Sequence, residues 1–227
     1  MKNLLYIILI AFMASCSSNK TENVNTDGWE VLFDGSNLNS WRTFRNMPQN
    51  SWEIVEGTLH CKDFDQAQQR ADLITLNQYE NFELHFEWKI GHQGNSGVMY
   101  RVSEDLDQPY LSGPEYQLID DENFPGELNE WQRSGADYAM HAAEGAEINP
   151  AGEWNVSKLI VNGHEVEHWL NGKPVVAYEI GSADWLERKA NSKWADAEGY
   201  AAYAKGHICL QDHGQEVWFR NIKIKSL

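Results

Sequence analysis

The segment FELHFEWKI (82–90) alternates without a break: Leu84, Phe86, Trp88 and Ile90 fall on one side, and Glu83, His85, Glu87 and Lys89 on the other. A two-residue period held over this length predicts a β-strand with one face in a core. Shorter runs repeat the pattern. Val98, Tyr100 and Val102 alternate with Met99 and Arg101; Tyr116 and Leu118 with Glu115, Gln117 and Ile119; Ile208, Leu210 and Asp212 with Cys209, Gln211 and His213. Lys158–Asn162 and Glu165–Leu170 bracket Gly163-His164, and Asn171-Gly172 follows, so 156–179 reads as a meander of hairpins. Many short strands separated by Gly and Asn predict an all-β chain, a β-sandwich or jelly roll with loop and short-helix insertions. The insertions are 120–150, acidic and turn-rich, and 184–204, which opens with Asp184 as a helix cap and continues in helix-forming residues. Long insertions in a sandwich ride over one end or one face, where binding loops sit.

The N-terminus follows different rules. Lys2 precedes an apolar run and then small residues up to Cys16, a secretory signal too short to span a membrane. Met13-Ala14-Ser15-Cys16 resembles the lipobox of bacterial lipoproteins, in which the cysteine becomes the acylated first residue. Residues 1–15 are thus expected to be a cleaved signal peptide. Cys16 would be the lipidation site, and 16–27, polar and without aromatics, a flexible tether. Several acyl chains on one cysteine suffice for stable anchoring. The expected location is a bacterial membrane, exported, as a periplasmic or cell-surface lipoprotein. The folded domain is expected at 28–227, long enough to bury roughly 70% of its unfolded surface.

Composition narrows the partners. The chain has a formal charge of −16, and loss of Lys2 makes it more negative, so nucleic acid and anionic headgroups are poor partners. A neutral ligand such as a sugar suits it better. Beyond Cys16 only Cys61 and Cys209 remain, either a disulfide or two buried thiols. There is no Gly-rich phosphate loop, GxSxG elbow or cysteine cluster, so no cofactor is expected. A divalent metal held by dispersed ligands would leave no spacing signal.

Strand parity places the candidate chemistry. If Val98, Tyr100, Tyr116, Leu118, Ile208 and Leu210 point inward, then Arg101, Glu115, Gln117, Gln211 and His213 share the opposite face. A carboxylate beside a histidine supplies an acid and a base, and amides with an arginine hold hydroxyls or an oxyanion. Asn95-Ser96-Gly97 should bend so that backbone approaches a ligand. Asp120 and Asp212 fall on inward parity, which suits bracing a loop, and Asp120 at its strand end stays among the candidate sugar contacts. Lys193, Trp194 and Tyr138 lie in the insertions and offer a lid or stacking platform. His168 and Trp169 are expected in the core.

Seven blocks in order resemble one bacterial family: Trp29–Trp41, Trp52–Leu59, Asn95–Arg101, Glu115–Asp120, Gly152–Asn155, His168–Gly172 and Gly206–Asn221. They identify the chain as similar to the 3-keto-disaccharide hydrolase family, and the resemblance implies a concanavalin A-like jelly roll. It also implies cleavage of 3-keto glycosides, in which a partner dehydrogenase first oxidises the sugar C3. The ketone acidifies the C2 proton, so a base can remove it, the C1 substituent can leave, and water can add back. Glu115 or His213 would be the base and the other the acid, with Arg101, Gln117 and Gln211 holding hydroxyls or the enolate.

Two other readings compete. One is a carbohydrate-binding module with the same face and no catalysis. The other is a conventional jelly-roll glycosidase using Glu83 and Glu87, but these would stand about 13 Å apart on one strand, beyond the window of about 5–9.5 Å for direct glycosidic chemistry.

Overall fold

The computed structural model describes residues 27–227; the expected signal peptide, Cys16 and all but the last residue of the expected tether lie outside the described residues. The described chain forms strands β1 (Trp29–Phe33), β2 (Trp41–Thr43), β3 (Trp52–Val55), β4 (Thr58–Cys61), β5 (Leu73–Thr75), β6 (Phe82–Ile90), β7 (Asn95–Val102), β8 (Glu115–Ile119), β9 (Asn155–Asn162), β10 (Glu165–Leu170), β11 (Lys173–Glu179), β12 (His207–Leu210) and β13 (Val217–Ser226), with one helix, α1 (Ala183–Ala190). All pairings are antiparallel. The larger sheet runs β11-β10-β9-β6-β13-β4-β3, with β1 also on β13, and the smaller runs β2-β5-β12-β7-β8. The all-β sandwich expected from the alternation is what forms.

Central β6 shows why the layers hold. Phe82, Leu84, Phe86, Trp88 and Ile90 are all 0–1% exposed, whereas the residues between them are half-buried. Each such side chain contributes about 1.5–3 kcal/mol by leaving water, and the Trp88 indole donates to Ser157 Oγ at 2.8 Å, so its polar edge is not stranded. From the facing sheet, Val98, Tyr100, Tyr116, Leu118, Ile208 and Leu210 complete the same cluster. The hairpin expected at Asn171-Gly172 joins β10 to β11 with both residues at positive φ, +47° and +83°, the twist that two-residue hairpins favour.

Three expectations change. Strand parity fails at Arg101, which adopts φ +57° where the register of β7 against β12 slips. Beyond this bulge Val102 joins Met99, Ile74, Cys209 and Phe44 in a second apolar cluster instead of following Tyr100 inward. Helix α1 is capped by Ser182, whose Oγ accepts from Trp185 N at 3.2 Å, and not by Asp184, which lies in the first turn and binds Arg188. The helix covers only the start of 184–204, because Asn191 closes it and Trp194 then turns into the core beside Tyr200. Cys61 and Cys209 are both buried free thiols, in different sheets.

Candidate active site

On the outer face of the small sheet lies a cleft of about 190 Å³ lined by Asn95, Tyr110, Glu115, Gln117, Tyr138, Lys193, Gln211 and His213. Adjacent strands supply its floor. Glu115 and Gln117 alternate with Tyr116 and Leu118 on β8; Asn95 opens the neighbouring β7; Gln211 and His213 follow the end of β12. Parity therefore does bring Glu115, Gln117, Gln211 and His213 together. The chain after β12 is fixed by Ser96 Oγ donating to Gln211 O at 2.8 Å and by Gln211 N donating to Gly97 O at 2.9 Å.

Glu115 is 5% exposed, and its carboxyl lies against Gly97, where any side chain would collide with it. Burial pushes its pKa up to about 8; the Lys193 charge opposes this, and the Asp72 and Asp137 charges reinforce it. At neutral pH Glu115 is thus mainly a protonated acid. His213 is exposed and sits in a polar chain. Gln117 Nε2 donates to Asn95 Oδ1 at 2.9 Å, Asn95 Nδ2 faces His213 Nε2 at 3.3 Å, and His213 Nδ1 faces Gln215 Oε1 at 2.9 Å. With the amides so oriented, a neutral His213 carries its proton on Nδ1, and Nε2 accepts from Asn95 Nδ2. The floor therefore brings a buried carboxyl and an exposed histidine into one cleft.

The insertions form the walls. Tyr138 belongs to a segment in which Asp137 bridges to Tyr116 and to His141, extending the sheet past β8. Asp137 is fully buried; its oxygens accept from His141 Nδ1 at 2.9 Å and from the Tyr200 hydroxyl at 3.4 Å. Tyr200 stacks between Trp194 and Trp185 of α1, with ring centroids 4.5 and 6.2 Å away. The two insertions thus meet on one carboxylate.

Three candidate contacts fall outside the cleft. Arg101, turned by its bulge, donates to Gly163 O in the β9–β10 turn and is 4% exposed. Asp120 accepts from Gln93 N at 2.8 Å, Asn123 N at 3.1 Å and Glu122 N at 3.3 Å, so it ties two loops together. Trp194 is 3% exposed and donates to Tyr138 O, which makes it a buried pillar and not a platform. Asp212 braces its turn as its parity suggested, held by Arg70 at 2.8 Å and accepting from Gly214 N. Tyr110, 40% exposed, was missed; it follows Pro109 in a single 3-10 turn, Pro109–Leu111, that carries no alternation. His168 is fully buried, and burial pulls its pKa down to about 4.

A larger depression, about 460 Å³, lies on the other side of the sandwich and includes His85 and Glu87. There Glu87 is engaged by Arg220 and Asn221, and Glu83 by His85 at 2.6 Å, so neither carboxylate is free to act. Among the described residues, no group of three or more His, Cys, Asp or Glu side chains is arranged to hold a metal ion.

Comparison with known proteins places the chain in a family. A model of the 3-keto-alpha-glucoside-1,2-lyase-like domain matches residues 28–225. A 3-keto-disaccharide hydrolase from Bacteroides thetaiotaomicron is 33% identical over 90% of this chain and 80% of its own length. The crystal structure of a candidate glycosyl hydrolase from Parabacteroides distasonis superposes with a TM-score of 0.82 at 38% identity, over 88% of this chain and 94% of that one. A Bacillus subtilis protein with a galectin-like fold, 15% identical and with a TM-score of 0.53 over 87% of this chain and 94% of that one, shares the fold alone. The chain therefore belongs to the family of 3-keto-alpha-glucoside-1,2-lyase-like domains.

Proposed function

We propose that the protein cleaves the glycosidic bond of 3-keto glycosides by elimination followed by addition of water. The observation that carries this reading is the meeting of Glu115, whose proton burial helps to retain, with the His213 imidazole in one small cleft. His213 removes the C2 proton, and the released electron pair forms an enolate with the C3 ketone. Collapse of the enolate expels the C1 oxygen, which takes its proton from Glu115. Water then adds at C1 of the enone and C2 is reprotonated, so the net change is hydrolysis. An acid and a base each acting in the transition state contribute roughly 10²–10⁴-fold. Asn95, Gln117 and Gln211 offer amides to ring hydroxyls, and Tyr110 and Tyr138 offer ring faces at the mouth.

The substrate must arrive already oxidised at C3, so a dehydrogenase acting on glycosides is the functional partner. The Met13-Ala14-Ser15-Cys16 motif supports an exported lipoprotein, tethered by acyl chains at Cys16. Cys16→Ala is expected to move the protein from the membrane fraction to the soluble exported fraction. The reaction is tested by incubating the protein with a 3-keto disaccharide in heavy water and weighing the products. Deuterium at C2 of the released keto sugar is expected; product with hydrogen retained at C2 would exclude elimination. Binding of unmodified glycans without any product would instead favour a binding module.

A further inference from the structure

Proton removal at C2 places negative charge on the C3 oxygen, and that charge needs a partner. The small sheet supplies none: Arg101 is turned away to Gly163, and Asn95, Gln117 and Gln211 are neutral. Among the described residues lining the cleft, one carries a positive charge. We infer that Lys193 is a catalytic residue, whose ammonium stabilises the oxyanion that develops on the C3 oxygen of the bound keto sugar.

The geometry suits this role. Although Lys193 is exposed as a residue, its Nζ lies 4.2 Å from the ring centroid of Tyr138 and 4.3 Å from that of Trp194. The two rings draw the cation by their faces and leave its N–H donors uncommitted. Neither ring is loose. Trp194 is stacked on Tyr200 and donates to Tyr138 O at 3.3 Å, so each insertion contributes one ring and the contact between them fixes the pair. No carboxylate lies within 4 Å of Nζ among the described ion pairs. Burial favours the neutral form of Glu115 and also lowers the Lys193 pKa, while the Glu115 charge acts to raise the latter. A preorganised, incompletely solvated cation of this kind is worth most where charge appears only in the transition state.

This role rests on the elimination reading, and the experiment separates the two. Rates of product release and of C2 deuterium uptake from a 3-keto α-glucoside in heavy water are measured for wild type, Lys193→Met and Lys193→Arg, with melting temperatures as a check on folding. Lys193→Met keeps the stem and loses the charge; kcat and deuterium uptake should both fall about 10²–10³-fold with KM changed less than about threefold. Lys193→Arg, which keeps the charge, should recover at least about a tenth of the lost rate. Wild type that takes up no deuterium overturns the elimination reading itself. Active wild type with an undiminished kcat in Lys193→Met, or a loss confined to KM, overturns the role of Lys193 alone. A substrate-dependent mass increase on the Lys193 peptide after cyanoborohydride reduction would also overturn it, because it would show an imine at C3 in place of an oxyanion.

Discussion

The Glu115 carboxyl occupies the space that a side chain at position 97 would need: a β-carbon on Gly97 would lie 2.1 Å from Glu115 Oε1 and 2.8 Å from its Cγ. The glycine of the Asn95-Ser96-Gly97 segment is therefore half of the acid's binding pocket. Gly97→Ala is expected to push Glu115 out of place. Turnover should drop at least about 10²-fold, and the strain should lower stability by about 1–3 kcal/mol, read by kinetics and urea melts on the same preparation.

Glu115→Gln should separate stability from activity. Burial raises the Glu115 pKa from its ordinary 4.5 to about 8, so between these values the folded chain holds a proton that the unfolded chain has released. Its stabilising effect is complete below about pH 4.5 and declines as pH rises toward 8, by at most ~1.4 kcal/mol per pH unit. Glutamine cannot ionise. The variant should lose at least about 10² in kcat, yet its melting temperature should fall less than that of wild type between about pH 5 and 8. Wild-type activity should decline above about pH 8 as the acid ionises.

His213→Ala is expected to lower kcat by roughly 10²–10⁴-fold. Since the ring is exposed and its neighbours Asn95 and Gln215 stay in place, added imidazole should restore part of the rate in a saturable way. Failure of imidazole together with near-normal turnover would remove His213 from the reaction.

Asp137→Ala removes the carboxylate on which His141 and Tyr200 converge. Loss of one partner from a buried charged cluster costs about 3–5 kcal/mol, measurable as a lower denaturant midpoint. Since Tyr138 and Trp194 hold Lys193, KM and kcat should deteriorate together.

How much of this was legible in the sequence follows from where local periodicity governs. Alternation in β6 gave its inward and outward faces correctly, and the Asn171-Gly172 turn gave its hairpin, because both depend only on neighbouring residues. The same rule assembled Glu115, Gln117, Gln211 and His213. It failed at Arg101 because a non-glycine residue took a left-handed conformation, and one such residue reverses every side chain after it. Tyr110 and the burial of Trp194 depend on how distant loops close over the sheet, which no local period encodes. Ser182 outranked Asp184 as the helix cap because the turn after β11 places its hydroxyl at the free amides first.

The shared attachment to Asp137 ties the two insertions into one unit, although more than sixty positions separate Tyr138 from the end of the second. Amides around 135–141 and 194–201 should then exchange with solvent in the same event. Tyr138 N donates to Glu115 O and Trp194 donates to Tyr138 O, so the wall that carries Lys193 and the strand that carries the acid are held in register with one another.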